Sequence, residues 1–121
     1  MFMELLGKIS TQRQQDALEY AIKMIEQSPV KKYISSIWLF GSCARDTQKF
    51  DSDVDLLVEL DVTEDEFEEI RYNAIILRGE VSPLEASAPE VDIKYTFKGS
   101  WEHKNTTFYN EVRKDGMLLW K

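Results

Sequence analysis

A chain of 121 residues has room for one domain and a single core, and 43% hydrophobic against 31% charged residues is the balance of a folded protein rather than a disordered one. The formal net charge of -7 opposes non-specific association with nucleic acid, which needs clustered Lys and Arg. One cysteine excludes an internal disulfide, and no apolar run has the length of a signal peptide or membrane span, so the expected setting is the cytoplasm.

In chain order, Thr11 and Gln14 have the spacing of a capping box, and Ala17, Leu18, Ala21, Ile22 and Ile25 recur at helical period. A helix is expected from about Thr11 to Gln27, stopped by Ser28-Pro29, with its apolar stripe on a sheet. Ser35 to Phe40 reads as a strand that is apolar on both faces near its end, hence central. The polar stretch from Gly41 to Ser52 reads as a turn with a short helical turn after Ser42, and Asp53 to Leu60 as a second strand.

Thr63 and Glu66 repeat the capping-box spacing, and Phe67, Ile70, Ala74 and Leu77 form one stripe of a helix running to about Arg78 and closed by Gly79. The acids from Asp61 to Glu69 crowd its start, where they complement the helix dipole. Val81 to Glu90, with Pro83 and Pro89, reads as a loop. Val91 to Phe97 alternates cleanly, with Val91, Ile93, Tyr95 and Phe97 inward. Trp101 to Lys114 is weakly helical, with Phe108 and Val112 on one face, and Asp115-Gly116 turns the chain into an edge strand from Met117 to Trp120.

Side chains alternate along a strand, so Asp53 and Asp55 point away from the core side occupied by Val54, Leu56, Val58 and Leu60. Asp92 falls on the polar face of its own strand by the same rule. Two carboxylates held side by side repel, so they share a proton or clasp a cation, and oxygen donors without histidine or thiol favour a hard ion such as magnesium. Gly41 lacks a Cβ, allowing a sharp bend and close approach of backbone to ligand, and Ser42 adds a hydroxyl, a combination suited to phosphate. The absence of a following Gly-Lys-Ser/Thr shows that this is not a P-loop.

Gly41-Ser42, ten intervening residues and then Asp53-Val54-Asp55 in an apolar strand resembles the signature of the polymerase-beta-like nucleotidyltransferases, in particular their minimal, antitoxin-type members. The resemblance implies a single nucleotidyltransferase domain over residues 1–121, of the α/β (α+β) class, with a small mixed β-sheet, helices packed on one face and the site on the other. It implies transfer of a nucleoside monophosphate, AMP from ATP by family habit, to an acceptor hydroxyl. Asp53, Asp55 and Asp92 would be the catalytic carboxylates holding two Mg2+ ions about 3.5–4 Å apart. Gly41, Ser42 and Arg45 would contact the triphosphate of the NTP. Asp46 departs from the family, where glycine is frequent at the matching place.

The size of the chain leaves no second domain to wall the acceptor, so a protein partner, of the HEPN toxin type found beside such antitoxins, or an oligomer is expected to complete the site. Alternatives are a small-molecule, antibiotic-type nucleotidyltransferase and a non-catalytic nucleotide-binding or interaction module. Blander readings stand beside these roles: Asp92 as an exposed acid on an edge strand, Arg45 as an ion pair with Asp46 or Asp51, and Lys49, Lys94 and Lys104 as solvated lysines. Cys43 shows nothing that would activate it, His103 reads as a surface residue, and Trp101, Phe108, Tyr109 and Trp120 read as core.

Overall fold

A computed structural model describes residues 12–41, 52–85, 87–101 and 104–120. Helix α1, Gln12–Gln27, buries Gln14, Ala17, Leu18, Ala21, Ile22 and Ile25 along one stripe. Ser28 does not simply stop the chain. Its hydroxyl accepts from the Val30 amide at 3.1 Å, and with Pro29 in the first position it starts a 3-10 turn, Pro29–Tyr33, that sinks Val30 into the core.

Strand β1, Ile34–Phe40, pairs antiparallel with β2, Val54–Leu60, and on its other edge antiparallel with β4, Met117–Trp120. Strand β3, Val91–Phe97, runs parallel to β2, so the four-stranded sheet has the order β3-β2-β1-β4 and is mixed. Parallel neighbours need a crossover, and helix α2, Glu64–Glu80, supplies it. Its start is a complete capping box: the Thr63 hydroxyl accepts from the Glu66 amide, and the Glu66 carboxylate accepts from the Thr63 amide, each at 3.1 Å. These bonds hold the Glu66 carboxyl below its ordinary value. The helix does not end at Arg78; it carries Gly79 in its last turn and is capped at Val81. Helix α3 is Thr107–Asp115, shorter than the helical stretch expected from Trp101.

The main core lies between the sheet and the first two helices. Val54, Leu56, Val58 and Leu60 of β2 and Ile37 and Leu39 of β1 meet Leu18, Ala21 and Ile25 of α1 and Ala74 and Leu77 of α2. Full burial of a side chain of this size contributes about 1.5–3 kcal/mol, so this layer carries most of the stability. The Tyr95 hydroxyl donates to the Ala74 carbonyl at 2.8 Å, tying β3 to α2.

The one-sided arrangement of helices holds for α1 and α2 only. Across the other face, Leu57 is fully buried under Trp101, Tyr109 and Val112, with Trp38, Phe40 and Phe108 packed against them. The weak helical pattern of the C-terminal segment concealed this second, aromatic core, because its anchors come from four separate elements. No described helix is long and apolar enough to cross a membrane.

A candidate active site at the uncovered end of the sheet

Strand pairing divides the second face of the sheet into three cross-strand rows. Phe40, Asp55 and Asp92 are partners in the first, Trp38, Leu57 and Lys94 in the second, and Ser36, Glu59 and Thr96 in the third. Neighbouring strands lie about 4.8 Å apart, so Asp55 and Asp92, in register on parallel strands, project from adjacent points of one face. Asp53 stands just before β2 and is exposed, as is Asp92, while Asp55 is half-buried. Sequence alternation put these three residues on one face; pairing adds that two of them are side by side.

Gly41 closes the first row. It follows Phe40 directly with φ of 75°, in the left-handed region, and a Cβ built on it would stand 2.5 Å from Oδ2 of Asp55. The Asp55 carboxylate therefore occupies the place that a side chain at position 41 would take. Ser42, Arg45, Cys43, Asp46, Lys49, Asp51, the helical turn expected after Ser42, and Thr11 and His103 all lie outside the described residues.

The chain entering β2 is held from two sides. Gln14, fully buried, donates from Nε2 to the Ser52 carbonyl at 3.1 Å, and the Val54 amide donates to the Glu90 carbonyl at 2.9 Å. Ser82 binds both the amide and the carbonyl of Val91, and Arg13 donates to the Ser87 carbonyl, so the 81–90 segment is tied to both sheet and helix. Gln14 reads in sequence as half of a capping box. Its place on the same helical stripe as Leu18, Ala21 and Ile25 is the signal that it points inward.

The third row shows why the first is the chemical one. Glu59 continues the alternation of Asp53 and Asp55, yet only 7% of its surface is exposed. Its Oε1 accepts from Ser35 at 2.6 Å and Ser36 at 3.2 Å, and its Oε2 from the Trp101 indole at 2.5 Å. A buried carboxylate needs such donors, and here they fasten Trp101 over the sheet. Arg113 of α3 completes the fastening by donating to the Trp101 carbonyl at 2.9 Å. Trp38 meets the Trp101 ring edge-on at 5.8 Å between centroids. Row three and the Trp38 and Leu57 part of row two are thereby roofed, and the roof stops at Phe108, which packs edge-on against Phe40 at 5.0 Å. Lys94 is exposed with its ammonium 3.9 Å from the Phe108 ring centre, so the one cation in these rows stands on an aromatic wall beside the carboxylates.

Two carboxylate charges one strand spacing apart repel by about 3 kcal/mol at an effective dielectric constant of about 20, before solvent screening. A hard divalent cation relieves that repulsion, and the all-oxygen donor set of Asp53, Asp55 and Asp92 suits such an ion in chemistry, with Asp55 and Asp92 paired on one face and Asp53 just ahead of the strand. Among the described residues no three acidic, histidine or cysteine side chains already converge as a closed metal cage. The carboxylates are neighbours with a common outlook rather than a rigid chelate.

A family model described as a nucleotidyltransferase domain matches residues 11–114. Among solved structures, the chain is similar to a candidate nucleotidyltransferase from Sulfolobus solfataricus, with a TM-score of 0.60 and 21% identity over 91% of this chain and 85% of that one. It is also similar to a toxin-antitoxin structure with AMP-PNP, TM-score 0.47 and 23% identity over 84% and 71% of the two chains. A third likeness is to a mutant of the toxin-antitoxin MntA-HpeT, TM-score 0.46 and 20% identity over 82% and 68%. No curated protein matches.

Proposed function

Because the chain belongs to the nucleotidyltransferase domain family, we propose that its carboxylate row transfers a nucleoside monophosphate, AMP from ATP, to a hydroxyl on a partner protein. The observation that carries the proposal is the in-register pair Asp55 and Asp92 beside a left-handed Gly41, where the Asp55 carboxylate takes the place a side chain would fill. Family members generally use an NTP and a divalent metal, and Asp53, Asp55 and Asp92 are the residues that would hold Mg2+, two ions in the full reading. When bound, the metal supplies the positive charge that the acidic row and a triphosphate both require.

The chain's own residues do the rest. Gly41, with Ser42 and Arg45, receives the β and γ phosphates, in a turn whose left-handed glycine also makes room for the Asp55 carboxylate. Asp92, on the exposed edge strand, takes the proton of the acceptor hydroxyl as its oxygen attacks the α phosphorus. The bond from that phosphorus to the bridging oxygen breaks, and pyrophosphate leaves with the electron pair. Positioning and charge neutralisation, rather than covalent catalysis, are what such a transfer needs.

Support for a protein acceptor is the reach of the roof. The aromatic core covers Leu57 and Trp38 of the second row and the third row is buried, while Asp92 in the first is exposed. A partner, of the HEPN type in the full reading, would supply the missing wall. Residues 1–121 act as a single domain in this proposal, in the cytoplasm.

The test is incubation with Mg2+ and ATP labelled at the α or the γ phosphate, with and without the protein encoded beside it. Label from the α position alone, on the partner and abolished by Asp55→Asn, is expected. Label on a small molecule would move the reading to the antibiotic type. Nucleotide binding without transfer would leave a non-catalytic module.

A further inference from the structure

The outer side of α2 faces away from the sheet and from the carboxylates, and it is divided lengthwise by chemistry. Over its first two turns the outward positions are Asp65, Glu68 and Glu69; over the last two they are Tyr72, Ile75, Ile76 and Gly79, at the spacing i, i+3, i+4, i+7. Tyr72 is 75% exposed, Ile75 55% and Ile76 39%, three of the four exposed large hydrophobics among the described residues. Single exposed apolar residues are ordinary, but a helical stripe of them is not.

Gly79 is a second, independent observation. Glycine inside a helix is less favourable than alanine, and it is tolerated where something packs against the bare backbone. A Cβ added at Gly79 would meet nothing within 4 Å. Nothing described in this chain uses the space, so the glycine serves no internal contact, whereas a chain lying along the stripe could approach the backbone there.

We propose that this stripe is a docking surface for one amphipathic helix of a partner protein, apolar where it meets Tyr72, Ile75, Ile76 and Gly79 and basic where it meets Asp65, Glu68 and Glu69. Positions at this spacing form one ridge along the helix, the geometry by which two helices pack side by side. Charge decides among occupants. A second copy of this chain set parallel brings acid onto acid, and set antiparallel buries those acids against the isoleucines. Nucleic acid and anionic lipid are repelled by the acidic half. Glu68 forms an ion pair with Arg71 at 3.7 Å, exposed on both sides and easily exchanged for a partner's cation. Because α2 lies behind the sheet, the surface is distinct from the acceptor site, and it stands whether or not transfer is observed.

The probe is a synthetic helical peptide of Leu and Lys at amphipathic period, beside its Leu and Glu counterpart, titrated into the labelled full-length protein with amide shifts recorded. The basic peptide should shift Tyr72, Ile75, Ile76 and Gly79, and the acidic peptide should not. Ile75→Glu should weaken binding at least tenfold; an attraction due to net charge alone would instead strengthen. Gly79→Ala should weaken binding while raising the Tm of the protein alone by about 2–5 °C. Shifts centred elsewhere, tighter binding by Ile75→Glu, or concentration-dependent self-association lost on Ile75→Glu would each overturn the proposal.

Discussion

Replacing Gly41 by alanine tests the core of the site, and its cost can be worked from two separate contributions. The backbone stands at φ of 75°, where an L side chain costs about 1–2 kcal/mol. The new methyl would also lie 2.5 Å from Asp55 Oδ2, closer than real Cβ contacts come, so the carboxylate must rotate away. An off-rotamer side chain adds about 0.5–1.5 kcal/mol, giving about 1.5–3.5 kcal/mol of lost stability in denaturant unfolding. Gly99 provides the control. It has φ of 81° with nothing within 4 Å of the built Cβ, so Gly99→Ala should lose only the backbone share, about 1–2 kcal/mol, and keep its turnover. In Gly41→Ala, displacement of Asp55 by about 1 Å should lower nucleotide transfer about a hundredfold, well beyond any loss of folded protein. If the two alanine variants show equal transfer rates once corrected for folded fraction, the closeness of Gly41 and Asp55 has no bearing on chemistry and the site is misplaced.

Asp92→Asn should retain nucleotide binding by calorimetry and lose transfer by about a hundredfold or more, while equal loss of both would place Asp92 with the nucleotide rather than the acceptor. Glu59→Ala strips the acceptor from the Trp101 indole and from two serines; a loss of about 3 kcal/mol in urea unfolding, with a red-shifted tryptophan emission, is expected, and a change under about 0.5 kcal/mol would refute the fastening role. Burial pushes the Tyr95 hydroxyl from its ordinary 10 up to about 12. The neutral form is the one the fold keeps, so this contribution is complete below pH 10 and lost as the pH rises toward 12. Tyr95→Phe should flatten stability between pH 10 and 12 while lowering it by about 1 kcal/mol at neutral pH through the lost bond to Ala74.

Local chemistry made several features legible in the sequence alone. The Thr63 and Glu66 capping box, the apolar stripe of α1 and the alternation along β2 and β3 depend on residues a few positions apart, where backbone geometry sets which side chains share a face, whereas the spacing from Gly41 to Asp53 and Asp55 was legible as a resemblance to a known signature. From these followed the mixed α/β fold, the common face of Asp55 and Asp92, and the family. Tertiary structure alone decided what depends on register and on distant neighbours. Asp55 and Asp92 are partners because β3 pairs parallel with β2, a choice no local pattern records. Glu59 and Asp55 look alike in sequence, two acids on one face of one strand. One is buried under Trp101, forty-two positions away, and the other lies half-buried beside Gly41 at the end of the sheet. Gln14 is polar by residue type and core by position, since only the folded chain brings Ser52 over it. Alternation assigns a side chain to a face, but what covers that face comes from the rest of the fold, and at this site the cover separates a structural carboxylate from the candidate catalytic ones.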